Sequence, residues 1–365
     1  MKVVVVGLGA IGSRHAHHLN RAGHQVLTVD CKRPADLPEV MCVKSPGAYA
    51  SWIVATPTDT HLDVLASILR LDSSARILLE KPACTPTELP LLAELLSEHP
   101  RARVIVNDVY AHSPAARKLA RALRTVSPRE RAGRTGAIRG ITIEFTKNRQ
   151  KDVDEGRFVD EHYGDVGYEW FHMLSLLRTV LPESAYATYL RTAPQKVTDE
   201  LRALTAAPGL PDIRLYASTN GRIGFPELAG FGYLSTKARR HIRESHIPYA
   251  SDFRYRFIDV EFVSGNHITL VFEPYYGIAT DYKNVHALHM RIGSTRRAFE
   301  IRGNHLEMSL TEQLAELVAP SVTDSTSRLR IPEHVHMAEL AGLVRGGASS
   351  AHHEAPLNGW SFTHA

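Results

Sequence analysis

Along the N-terminal third of the chain, short apolar runs alternate with segments whose apolar residues recur every three or four positions. Val3-Val4-Val5-Val6, within a predicted strand Lys2–Val6, is a β-branched run of the kind buried on both faces of a parallel sheet. Ile11–Ala22 follows with helical spacing and stops at Gly23. The alternation continues through strand Gln25–Asp30, strand Trp52–Ala55 ending at Thr56-Pro57-Thr58, helix Thr60–Leu71 and strand Arg76–Leu79. A helix opened by Pro86 and Thr87 and a strand Val104–Val106 complete it. Strands alternating with helices predict a parallel α/β unit.

After Pro114 the rhythm changes. A helix Ala115–Arg124 leads into a polar stretch, Ser127–Gly136, and Gly140–Lys147 alternates like a strand with one exposed face. Val166–Leu181 has helical spacing. From Ile213 onward strand patterns dominate: Arg254–Val263 and His267–Phe272 flank the hairpin signal Ser264-Gly265-Asn266. His289–Ile292 and Ala298–Ile301 predict a second hairpin, and Pro332–Leu343 a last helix. This half reads as an antiparallel sheet with helices on one side.

A chain of 365 residues is long for one core, and two domains follow, residues 1–113 and 114–365. The net charge of +4, from 43 basic and 39 acidic side chains, is too small to point to a nucleic-acid partner. No apolar stretch is long enough to span a bilayer, and the chain enters a strand without a leader pattern, so a cytoplasmic protein is expected. Cys31, Cys42 and Cys84 lack paired spacing. His15, His17 and His18, like His352 and His353, lack the companions of a metal site, and no metal is expected.

Gly7-Leu8-Gly9-Ala10-Ile11-Gly12 sits between the first strand and the first helix, the context that turns a weak glycine pattern into a dinucleotide fingerprint. Gly7 permits the tight turn, Gly9 removes a side chain from the path of a pyrophosphate, and Gly12 lets helix and strand approach. The N–H groups of Ala10 and Ile11 at the helix start favour an anion. Asp30, at the end of the second strand, can accept hydrogen bonds from a ribose diol, which favours NAD. Lys32 and Arg33 keep NADP possible. Thr56, Pro57 and His61 lie where a third parallel strand ends and are candidate cofactor neighbours, as are Glu80, Lys81 and Asn107. Turn chemistry and an N-cap explain Thr56-Pro57-Thr58 equally well. The first domain is therefore a Rossmann dinucleotide-binding domain.

Gly7–Gly12 with Arg14-His15-Ala16, then Ala55-Thr56-Pro57-Thr58-Asp59-Thr60-His61, then Leu79-Glu80-Lys81-Pro82, resemble the glucose–fructose oxidoreductase / inositol dehydrogenase (Gfo/Idh/MocA) family. The likeness is specific over about the first third of the chain and general beyond residue 181. It implies NAD(P)-dependent oxidation or reduction of a secondary alcohol or ketone in a sugar, sugar phosphate, nucleotide-sugar or cyclitol. It also implies that the second domain is an α+β substrate-binding and oligomerisation domain with a large, mostly antiparallel open sheet, that the protein forms a homodimer or homotetramer, and that Lys81 is the catalytic lysine. A lysine is a poor base at neutral pH until burial or nearby cations lower its pKa, and as a cation it can stabilise a developing alkoxide.

The family's second motif ends in Asp-x-x-x-His. Here His172 matches the histidine and Tyr168 stands at the aspartate position. Either Tyr168, His172 and Lys81 form an altered relay, or Asp165 or Glu169, both reachable from His172 on a helix, replaces the aspartate. Tyr110, Asp165, Tyr168, Glu169 and His172 are the candidate substrate residues beside Lys81. Asn107, Asp108 and Tyr110 follow the last Rossmann strand, where they are placed to line the nicotinamide end of the cleft, and Tyr233, Lys237 and Tyr282 are weaker substrate-side candidates.

Arg117, Lys118, Arg121, Arg124, Arg129, Arg131, Arg134 and Arg139 form a basic stretch with one acid, Glu130. It reads as a solvated surface or, alternatively, as a phosphate site. The tyrosine at position 168 also leaves open a second class of protein, a non-catalytic cofactor sensor or partner-binding protein on the same fold.

Overall fold

In the computed structural model, residues 1–126, 138–156, 160–198, 201–225, 246–273, 284–319 and 329–347 are described. Strands β1 (Lys2–Val6), β2 (Gln25–Val29), β3 (Ser51–Val54), β4 (Arg76–Leu79) and β5 (Arg103–Val106) form one sheet in the order β2-β1-β3-β4-β5. Every pairing in it is parallel. The connecting helices are α1 (Ala10–Arg21), α2 (His61–Leu71) and α3 (Leu89–Glu98). The order reverses between β1 and β3, and a crevice opens at the C-terminal ends of strands at such a switch point. The Gly7–Gly12 turn and Thr56 both sit there.

The second sheet contains β6 (Ile138–Lys147), β7 (Lys196–Thr198), β8 (Arg202–Thr205), β9 (Asp212–Ser218), β10 (Arg254–Phe262), β11 (His267–Phe272), β12 (Val285–Ile292) and β13 (Thr295–Arg302). Its order is β13-β12-β11-β10-β6-β9-β8-β7. Only β6 and β9 pair in parallel. The helices of this half are α4 (Pro114–Thr125), α5 (Gln150–Asp154), α6 (Val166–Val180), α7 (Glu183–Arg191), α8 (His305–Val318) and α9 (Ile331–Gly347). The fold is thus a Rossmann sheet joined to an α+β unit with a large, mostly antiparallel sheet.

Several elements depart from the sequence expectation. β6 has no exposed face: Thr142, Glu144 and Thr146 are buried like Ile141, Ile143 and Phe145. A second apolar cluster, including Tyr216, Ile223, Phe225, Tyr255 and Phe257, packs the outer side of the sheet. The Glu144 carboxylate is satisfied there by the N–H groups of Gly224 and Phe225 and by the Thr146 hydroxyl. Burial pushes its pKa up to about 7 against those hydrogen bonds.

Helices α7 and α8 and strands β7 and β8 had no counterpart in the sequence reading. Helix α8 matters most. It is capped by Asn304, whose side chain accepts from the Leu306 N–H. Leu310, Leu314 and Leu317 pack on Val3, Val5, Ile53, Leu78 and Ile105, so a C-terminal helix covers one face of the N-terminal sheet.

Candidate active site

The glycine turn has the geometry that a pyrophosphate requires. Gly7 has φ +88°, and a Cβ there would collide with the Ala55 carbonyl and the Thr56 backbone nitrogen. A Cβ on Gly12 would overlap the Gly7 carbonyl oxygen. Gly9, the N-cap of α1, faces open space, with no side-chain cap and no acid in the first turn of the helix. The first N–H groups of α1 therefore lack an intrahelical acceptor and point toward room for an anion. The backbone accepts no side chain at Gly12, so Gly12→Ala is expected to lower the melting temperature by several degrees and abolish nucleotide binding. Differential scanning calorimetry and a nucleotide titration check this.

Asp30 already has partners. Its Oδ2 accepts the Leu8 N–H at 2.6 Å and its Oδ1 accepts the N–H groups of Lys32 and Arg33. These bonds outweigh partial burial and hold the carboxyl below its usual pKa. A carboxylate offers about four lone-pair directions, so one remains for a ribose hydroxyl. Arg33 Nη1 donates across the same turn to the Leu8 carbonyl at 3.0 Å.

Beyond β4, Glu80, Lys81 and Pro82 form a loop held from several sides, with a cis peptide between Lys81 and Pro82. Glu80 is buried. Its Oε1 pairs with His15 Nε2 at 2.7 Å and accepts from Asn107 Nδ2 at 2.6 Å. Burial alone would raise its pKa, but these contacts keep it low and the group ionised. Asn107 is in turn bonded to Gln313 of α8. His61, 1% exposed, bridges two loops, with Nδ1 2.9 Å from the Pro82 carbonyl and Nε2 2.9 Å from the Thr56 carbonyl. His334 of α9 accepts the Ala83 N–H on Nε2 at 2.9 Å and donates from Nδ1 to the Arg330 carbonyl at 2.8 Å, which fixes a neutral ring. Burial lowers its pKa in agreement.

Lys81 is half-buried and crosses to the start of α6. Its Nζ donates to the carbonyls of Gly167 at 3.1 Å and Tyr168 at 2.9 Å, which leaves one ammonium N–H unassigned. Burial lowers its pKa, Glu169 opposes that, and Arg149 adds to it. His172 lies close enough to feel the ammonium: burial first, then Lys81, push the imidazole down to about 3. It is neutral at physiological pH, and its buried Nδ1 has no hydrogen-bond partner. The Tyr110 ring lies 4.8 Å from it, centroid to centroid.

The aspartate position of the family motif resolves into separate contacts. Tyr168 meets Lys81 through its main-chain carbonyl. Its phenol hydrogen-bonds the Asp160 backbone and its ring lies under the Arg149 guanidinium at 4.9 Å. Asp165 is exposed and accepts from the Thr219 hydroxyl. Glu169 is the buried carboxylate of the helix. Both its oxygens accept from Arg256 Nη2 at 2.7 Å, and Oε1 also accepts from Arg149 Nη2 at 2.7 Å. Arg256 also donates to the Tyr110 hydroxyl at 2.5 Å. Burial would raise the Glu169 pKa, but Arg256 and Arg149 hold it far below the usual carboxylate range.

Asp108 is buried and paired with Arg178, and its charge still reaches His172. Tyr233, Lys237 and Tyr282 lie outside the described residues, as do Arg129, Glu130, Arg131 and Arg134. Of the described members of the basic stretch, Arg121 and Arg124 are exposed and three others meet distant parts of the chain. Arg117 pairs with Glu312, Arg139 with Glu261, and Lys118 lies 5.0 Å from the Phe299 ring centroid.

The sequence reading did not name Arg149, Arg256, Gln313 or His334, and read His15 only as part of a motif and of a histidine cluster. One signal was legible: Arg254, Arg256 and Ile258 recur at every second position, placing both guanidinium groups on the same face of a strand as an apolar residue.

No protein-family model matches the chain. No curated protein matches it either. Solved structures do share its fold. A 3-ketoreductase from Actinomadura kijaniata, KijD10, in complex with TDP-benzene and NADP, has a TM-score of 0.59 at 13% identity, covering 95% of this chain and 97% of its own. UDP-N-acetylglucosamine 3-dehydrogenase GnnA from Acidithiobacillus ferrooxidans has a TM-score of 0.57 at 17% identity, covering 94% and 96%. An oxidoreductase from Agrobacterium radiobacter, in complex with NAD+, L-tartaric acid and magnesium, has a TM-score of 0.61 at 10% identity, covering 96% of each chain. At such identities the likeness establishes the architecture, a Rossmann sheet followed by the large mixed sheet. The chemistry must be argued from the residues.

Proposed function

We propose that this chain is an NAD(P)-dependent oxidoreductase acting on a secondary alcohol or ketone of a sugar, sugar phosphate, nucleotide-sugar or cyclitol, as in the Gfo/Idh/MocA family. The observation that carries the reading is the position of Lys81. Its ammonium leaves the end of a Rossmann strand, with β3 between that strand and the one that ends in the glycine turn, and reaches α6 beside His172. The similar structures complexed with NADP and NAD+ support the cofactor class.

NAD(P), when bound, supplies the hydride acceptor or donor. The chain's part is binding and proton handling. The α1 N-terminus receives the pyrophosphate and Asp30 the ribose, with Arg33 beside it keeping NADP within reach. His61, Glu80 and His334 fix the loop that aims Lys81. Lys81 removes or returns the hydroxyl proton or stabilises charge on the oxygen, and neutral His172 offers a second hydrogen-bonding nitrogen. Glu169 takes the electrostatic place of the family aspartate, held by two arginines.

The alternative, a non-catalytic cofactor sensor, draws on Tyr168 with its phenol turned to Asp160. Mixing the protein with NAD+ or NADP+ and a panel of sugars, sugar phosphates, nucleotide-sugars and cyclitols separates the two. Growth of reduced-nicotinamide absorbance with any member is the expected result. Nucleotide binding without turnover, in either direction, across the whole panel favours the sensor.

A further inference from the structure

We propose that the substrate of this site carries an oxyanion, a carboxylate or a phosphate, and that Arg254 receives it. The inference rests on the oxidoreductase reading of the Lys81 crevice and adds the charge of the molecule that enters it.

In the β6–β10 pair, Lys147 stands directly opposite Arg254, and Phe145 opposite Arg256. Strand periodicity puts Arg254 on the same face as Arg256 and Ile258, the face that α6 covers. Like charges directly opposite on neighbouring strands repel, so such a pair needs compensation.

The nearby carboxylates are engaged elsewhere. Asp152 accepts from Lys147 at 3.0 Å and lies 3.7 Å from Arg149. Glu169 is shared between Arg149 and Arg256. Glu273 attracts Arg254 from the end of β11, but its Oε1 accepts the Asn284 N–H. Arg254 is half-buried and has no hydrogen-bond or ion-pair partner among the described residues. Repulsion from Arg256, followed by burial, pushes even its guanidinium pKa down.

A partly desolvated cation that its surroundings repel on balance, with no ion-pair partner among the described residues, is costly to the folded chain. Its position explains the cost. Arg256, two residues along the same face, donates to the Tyr110 hydroxyl, and the Tyr110 ring packs on His172, so an anion at Arg254 lies toward the reacting side of the crevice. Arginine's planar fork suits both carboxylate and phosphate.

Calorimetric titration of malonate and of inorganic phosphate, in chloride buffer, tests this on wild type and Arg254→Gln. Both proteins are first saturated with NAD+ or NADP+, which occupies the α1 N-terminus. At least one anion is expected to bind wild type, with affinity falling at least tenfold in the variant and nucleotide affinity unchanged. Malonate alone binding points to a sugar acid, phosphate alone to a phosphate ester. The variant should melt at the same or a higher temperature, because a repelled cation has been removed. Absence of binding by both anions, equal affinity in the two proteins, or a variant melting several degrees lower overturns the proposal. Failure of the nucleotide to bind refutes the oxidoreductase reading instead, and titration of the free proteins then still decides the role of Arg254.

Discussion

Lys81→Ala is expected to reduce turnover by about 10²- to 10⁴-fold, the range typical of losing a positioned acid–base group. Affinity for the nucleotide should stay within about threefold, since the glycine turn and Asp30 are untouched and the lysine's observed bonds go to α6 carbonyls. The pH profile adds a signature. The Lys81 pKa lies below 10.5 because of burial, with Arg149 contributing. In the oxidation direction a lysine acting as base is active when neutral. The wild-type rate should therefore climb with rising pH through a value below the ordinary lysine range, and this limb should vanish in Lys81→Ala. His172, neutral above about pH 3, should contribute no limb near its ordinary value. Stopped-flow turnover and fluorescence titration of the nucleotide provide the measurements. A folded Lys81→Ala protein that turns over at the wild-type rate removes the lysine from the chemistry.

Glu169→Ala should destabilise the fold by roughly 3–5 kcal/mol, because it strands the buried Arg256 and the adjacent Arg149 without their carboxylate. Urea unfolding at neutral pH measures it. A double variant, Glu169→Leu with Arg256→Met, should recover much of the loss by replacing the pair with apolar volume, but remain inactive. The pH dependence has a definite sign. The folded pKa of Glu169 is depressed below its ordinary 4.5. Its stabilisation is therefore complete above that value and declines as the pH falls toward the folded pKa. The gap in stability between wild type and Glu169→Ala should narrow on acidification below about pH 4.5. A gap unchanged between neutral pH and pH 3 would show that the carboxylate's charge is not what holds the two arginines.

The legibility of this chain divides along a physical line. β1, β4 and β11 begin and end where the apolar pattern places them, because each run is short, continuous and bounded by polar or turn residues. Helix α8 was missed although Leu310, Leu314 and Leu317 recur at helical spacing. β6 was assigned an exposed face from its polar Thr142, Glu144 and Thr146. Alternation records polarity, and a polar side chain can be buried where backbone N–H groups meet it, as at Glu144.

The glycine turn and the place of Lys81 at a strand end were legible because local geometry restricts what stands there: a Cβ has no room at Gly12, and a strand end aims the side chain that follows it, whereas His172 was singled out by the family resemblance. The roles around them were not. Helical spacing offered Tyr168, Asp165 and Glu169 as equal stand-ins for one aspartate. Only the folded chain separates them, turning one phenol to Asp160, leaving one carboxylate in solvent and closing two arginines on the third.

By itself, then, the order of residues determined the two kinds of sheet, the anion-ready helix start and the lysine at a strand end, all consequences of contacts made within a few positions. Tertiary structure alone decided that α8 shields the first sheet, that His334 of α9 grips the lysine loop 251 residues away in sequence, and that Arg256 crowds Arg254 on the same face. Those outcomes depend on which distant surfaces meet and which charges find partners there, and no local periodicity encodes either.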